Sequence, residues 1–300
     1  VILENLVLVV GLILTGTAMR KSGWFPQNTS DVLNTFVLNV SLPAIIMISI
    51  PSLPLDERAL YPVAIHWVAF PLHIAAVVLL QKIFKFRKSV FASMLIVTTL
   101  GNTAFLGIPM VKTFYGESAI PFAVLYDQLG SGLGFIIFGA FVLPMFSDRS
   151  KQSLADVFKH LITFPAFIAL ILGFVFKFYP LPGVFNNFLS QLAATLIPCA
   201  MVAVGFQMKY KLEIHELRPL AAGLLLKLLV LPFIVLGIVK LFSIETLSAN
   251  VSILQAGMPP MVTAGAMAIE AGLEKDLSAA YVGYGLIFAF ATLPLIHSLI

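Results

Sequence analysis

Three ionisable side chains, His66, Asp127 and Lys227, stand inside long apolar runs of the sequence. A charge at membrane depth is costly and is kept where it holds a ligand, an ion or a proton. Lys227 is suited to attract a carboxylate, or to pair with an acid. Asp127 is suited to exchange protons, or to pair with Lys227. His66 can titrate near neutral pH. Each also has a purely structural alternative: a snorkelling lysine stem, a hydrogen-bonded carboxylate, a neutral packed imidazole.

The second chemical signal is polar residues beside helix breakers. Asn102 and Thr103 precede Gly107 and Pro109, and Gln255 precedes Gly257, Pro259 and Pro260. Proline removes a backbone donor and clashes with the preceding turn. Lipid cannot satisfy the freed groups, so a break there must face protein or a water-filled cavity. Broken helices offer positive N-terminal ends to anions and carbonyls to cations. These residues are therefore expected to bind substrate or ion. Pro43 and Pro198, with Asn39 and Ser41, are expected to line the same cavity.

The elements that must position these residues follow from composition. Of 300 residues, 60% are hydrophobic and 11% charged, whereas a water-soluble domain carries about 25% charged residues. A spanning helix needs about 20 mostly apolar residues. That length predicts ten segments, near 2–19, 31–50, 58–84, 90–112, 119–146, 160–178, 183–208, 219–242, 246–272 and 275–299. The first lacks a basic leader and is followed by Arg20 and Lys21, so it reads as a span and not a cleaved signal.

Lysine and arginine collect on the cytoplasmic side. Thirteen of the 18 fall in odd-numbered loops and four in even-numbered loops, with Lys227 inside a segment. Odd loops are therefore expected in the cytoplasm and both termini outside it. The glycosylation-like Asn28-Thr29-Ser30 then falls on the cytoplasmic side and is discounted.

The halves 1–146 and 147–300 resemble one another. Pro43 matches Pro198, and His66 before Pro71 matches Lys227 before Pro232. Asn102 before Pro109 matches Gln255 before Pro259, and Gly116 matches Gly272, at offsets of 153 to 161 residues. Five segments per half would insert the second half upside down, as two inverted five-helix repeats forming one membrane domain.

The run Val37-Leu38-Asn39-Val40-Ser41-Leu42-Pro43-Ala44 resembles the second helix of the auxin efflux carrier family. Gly101-Asn102-Thr103 with Gly107-Ile108-Pro109, the stretch from Lys227 to Pro232, and Gly257 to Pro260 do so too. The resemblance covers nearly the whole chain. It implies an all-α membrane protein of ten transmembrane helices, with helices four and nine unwound and crossing near the substrate. It also implies a transport half of segments three to five and eight to ten, and a scaffold half of one, two, six and seven. Family members carry auxin in plants and malate or malonate in bacteria, and the short loop after segment five is similar to the bacterial branch. The related bile-acid symporters bind sodium through an acid in helix nine, where this sequence has Gln255.

The expectation is a secondary active transporter of a small organic anion in the inner (plasma) membrane, with H+ or Na+ as candidate coupling ion and no cofactor. The alternatives are an uncoupled uniporter or channel-like pore, and a membrane enzyme acting on lipid. The enzyme reading lacks acid or histidine motifs at one membrane face. No phosphate-binding loop, metal-ligand spacing, potassium-filter sequence or basic stripe for nucleic acid is present. Partners are therefore the anion and the bilayer. A homodimer is left open.

Overall fold

A chain surrounded by lipid must satisfy its backbone groups internally, and all regular structure among the described residues is helical. The computed structural model describes residues 2–147, 153–207 and 217–300. Among the described residues, six helices are long and apolar enough to cross a membrane: Thr29–Ser52, Glu57–Phe84, Glu117–Met145, Gly183–Gln207, Leu217–Leu241 and Lys275–His297. They coincide with expected segments two, three, five, seven, eight and ten. Expected segment one forms the 21-residue helix Ile2–Ser22. Segment six is a bent pair, Leu154–Thr163 and Pro165–Phe178, and makes a seventh span if taken as one. Arg149, Lys151, Lys209 and Lys211, counted among the cytoplasmic charges, lie outside the described residues.

Expected segments four and nine are broken. The first is the helix Lys88–Thr99, then residues 100–102, then a helical run from Thr103 to Tyr115. The second is Leu247–Ala256, then residues 257–261, then Val262–Glu270. The first break falls earlier than the sequence suggested. Pro109 lies inside the restarted helix, just past a wide π-helical turn at Thr103–Gly107. Three other prolines share that setting: π turns at Val37–Ser41, Phe138–Val142 and Leu226–Val230 each end two residues before Pro43, Pro144 and Pro232. The extra residue in a π turn rearranges the i→i−4 ladder where proline cannot donate. Pro109 is thus accommodated within a helix. The interruption belongs to Gly101 and its neighbours.

The chain forms two compact units that interleave the sequence halves. One comprises residues 1–55, 104–124 and 160–208, and the other residues 56–103, 125–159 and 209–300. In the first, Ile2–Ser22 packs on Leu196–Gln207 through Gly16 and Gly205. A Cβ on either would stand 2.1 Å from Val202 O or 2.0 Å from Ile13 O. Such close backbone approach is how small residues join helices in lipid. Ser41 Oγ and Thr195 Oγ1 share a hydrogen bond of 2.7 Å. Lys177 Nζ donates to the carbonyls of Pro51 and Leu53 at 3.0 and 2.6 Å, satisfying acceptors at a helix end.

In the second unit, Glu274 joins the starts of two helices. It accepts from Ser89 Oγ at 2.5 Å, its N–H donates to Ser93 Oγ at 3.1 Å, and Arg87 pairs with it at 3.2 Å. This fixes the start of Lys88–Thr99 beside the start of Lys275–His297. Tyr281 fills the notch left by Gly223 and donates to Pro219 O at 2.7 Å.

Candidate functional site

The candidate site lies within the second unit, where the two breaks meet. Adjacent Pro259 and Pro260 cannot continue the helix that ends at Ala256. Opposite them, Leu100 is extended, at φ −96° and ψ 120°. The two non-helical stretches pair as an antiparallel bridge between Gly101 and Pro260. Asn102 N–H donates to Pro259 O at 2.7 Å, and Met261 N–H donates to Leu100 O at 2.9 Å. Each break thus satisfies backbone groups that lipid could not. Nothing in the sequence announces this pairing, because it joins residues almost 160 positions apart.

Side chains brace the bridge. Gln255 Nε2 donates to Thr103 O at 3.2 Å. Thr103 Oγ1 donates to Asp127 Oδ1 at 2.5 Å, and Gln128 Nε2 donates to Asp127 Oδ2 at 2.6 Å. Asp127 is 4% exposed, and both its oxygens are engaged. It makes no ion pair with Lys227, the pairing the sequence left open. Its partners are neutral donors, which spread hydrogen bonds over a buried carboxylate without adding a charge.

Lys227 is 3% exposed and sits on the π turn ahead of Pro232. Its Nζ lies 3.2 Å from where a Cβ on Gly101 would stand. Glycine at 101 is therefore what lets the ammonium reach the bridge. Among the described residues no carboxylate lies within ion-pair distance of Lys227.

His66 is wedged against Gly130 and stands edge-on to Tyr126, with ring centres 4.9 Å apart. Both its ring nitrogens lack a hydrogen-bond partner. Two turns further along the same helix is His73, whose Nε2 is 3.1 Å from Thr98 Oγ1. His73 Nδ1 and Thr99 Oγ1 are also without partners. These groups line one cavity with Gly101, Thr103, Ser131, Lys227 and Gln255.

Of the residues singled out in the sequence, His66, Asn102, Thr103, Asp127, Lys227, Gln255, Gly257, Pro259 and Pro260 belong to the second unit. Asn39, Ser41, Pro43, Gly107, Pro109 and Pro198 belong to the first. There Ser41 and Pro43 are buried, while Asn39 is exposed and donates to Thr35 O at 2.8 Å. Sequence reasoning missed His73, Thr99 and Gln128. His73 carried a signal: it follows His66 by seven residues, which returns to the same helix face.

A family model described as a membrane transport protein matches residues 1–297. A protein named an uncharacterized transporter, from Methanothermobacter thermautotrophicus, is 25% identical over 296 residues, covering 97% of this chain and 96% of the relative. Another so named, from Methanocaldococcus jannaschii, is 26% identical over 264 residues, covering 86% and 85%.

Proposed function

Because the chain belongs to the membrane transport protein family, that of the auxin efflux carriers, we propose that it is a secondary transporter of a small organic anion. The cargo is a mono- or dicarboxylate, of the size of malate, malonate or an auxin-like acid. The supporting observation is the bridge between Gly101 and Pro260 with Lys227 Nζ against it and, among the described residues, no carboxylate within ion-pair distance. A buried cation without a counter-charge is a place where a carboxylate gains most. The N-terminal end of Val262–Glu270 opens beside the same bridge and adds a partial positive charge.

In this reading the chain crosses the membrane ten times as two inverted repeats, with both termini outside the cytoplasm of a cell bounded by its plasma membrane. Asp127 and Gln255 position Thr103 and the bridge. Gly257 holds the second break where a side chain would strike Ile296, 2.7 Å from its Cβ position. The cavity beside the bridge has a free volume of about 10 Å³, room for about one water. It therefore admits no carboxylate until it widens, which suits a carrier that occludes its cargo better than a standing pore.

The test is uptake into proteoliposomes of labelled malonate, malate, acetate and indole-3-acetate. Saturable uptake of at least one acid, reduced by more than about tenfold in Lys227→Gln, is expected. No uptake of any acid, or ohmic current far above carrier turnover, would overturn the reading.

A further inference from the structure

We infer that Lys227 binds the coupling proton: the anion and one proton enter the site together, the proton residing on the Lys227 amine. The inference rests on the anion-transport reading above and adds the identity of the coupling ion and its carrier.

A lone ammonium this deep in protein is expensive unless something offsets its charge. Among the described residues no carboxylate pairs with it, and Asp127 has both oxygens occupied by Thr103 and Gln128. Two events can remove the cost: departure of a proton or arrival of an anion. If both operate, they are linked. In the linked cycle the amine gives up its proton when the site empties and takes one up with the incoming carboxylate. In balanced form, R–NH2 + H+ + A− gives R–NH3+···A−, with no change in the net charge of the site and its cargo.

The surroundings of Lys227 are built to pass that proton. Thr98 Oγ1 donates to Met94 O at 2.8 Å, so it accepts from His73 Nε2–H. The His73 proton is thereby assigned to Nε2, and Nδ1 is left as a bare acceptor, 1% exposed. His66, 5% exposed, offers two further unpartnered nitrogens, and Thr99 a hydroxyl. All line the cavity that Lys227 lines, and that cavity has room for about one water. A water there can bridge the amine to either imidazole. Among the described residues no element packed on this turn brings an acid within ion-pair distance of Lys227. Lys275–His297 carries Tyr281, already donating to Pro219 O, and Tyr284, with Lys275, Asp276 and His297 toward its two ends. Tyr126 completes the titratable groups that line the cavity, and Asp127 stands behind Thr103.

The experiment is calorimetric titration of the purified full chain with malonate, malate, acetate and indole-3-acetate. Each is run in buffers of different ionisation enthalpy, from about pH 6 to about pH 9. For any acid that binds, uptake is expected to rise to about one proton per anion at the alkaline end. Because binding consumes a proton, affinity should weaken as pH rises, by up to about tenfold per unit. Lys227→Arg, whose charge is permanent, should bind the same acid with no proton uptake and flat affinity. Should the arginine fail to fit beside Gly101, Lys227→Gln should bind weakly, again without uptake. Anion binding with no proton uptake at any pH, or uptake that persists in either variant, would sink this inference and leave anion transport standing. Failure of every acid to bind would remove the transport reading itself.

Discussion

Gly101 is the residue on which the site's geometry turns. A methyl there would press on Lys227 Nζ at 3.2 Å and on Thr103 Cγ2 at 3.4 Å. Both are side-chain atoms that can yield, so Gly101→Ala is expected to fold, with a stability change within about 1 kcal/mol. Its effect should appear as a raised KM for anion uptake, because the ammonium is pushed from the bridge. Asp127→Asn separates positioning from proton carriage. Asparagine keeps an acceptor for Thr103 but turns a donor toward Gln128, which should cost about 1–3 kcal/mol in denaturant unfolding. The pH dependence of transport should survive. If it vanishes while uptake continues, the proton belongs to Asp127 and not to Lys227. At this scale the sequence revealed which residues were out of place in an apolar chain. It could not reveal their partners, since Thr103, Asp127, Gln255 and Lys227 meet only after distant helices pack.

At the scale of elements, the break at Pro259 and Pro260 was legible because two adjacent prolines leave a helix no local remedy. The other break was expected across the stretch from Gly101 to Pro109 and occupies only its start, residues 100–102. A single proline has a remedy, the π turn, used four times among the described residues. Glycine and an antiparallel partner make the real interruption. Pro109→Ala should therefore change stability by no more than about 1 kcal/mol and leave uptake intact. Gly285→Ala should do harm, because its Cβ would stand 2.6 Å from Pro260 Cδ and 3.2 Å from Leu224 Cδ2. The ring of Pro260 is locked by the bridge and cannot move aside. A loss of about 1–3 kcal/mol is expected, with thermal unfolding and uptake falling together.

For the molecule as a whole, apolar length located six helices long enough to span, together with the bent pair. Compactness was less visible: each unit takes segments from both sequence halves, as a chain with matched halves can do when corresponding segments pack together. Orientation came from the charge bias alone, and Cys199, the single cysteine, makes it testable. In a Cys199→Ser background, Lys85→Cys should resist a membrane-impermeant maleimide until cells are opened. Leu55→Cys should react from outside. Reversed labelling would invert the topology proposed here.

The most direct test is a distance inside the bilayer. The protein, labelled with 15N at lysine Nζ and reconstituted in lipid, would be saturated with the tightest-binding acid of the panel, 13C-labelled at its carboxylate. Rotational-echo double resonance then reads the carbon–nitrogen separation. A coupling corresponding to about 3–4 Å, absent in Lys227→Arg, is the result expected. A bound acid showing no coupling to Lys227 would mean that the cargo is held elsewhere.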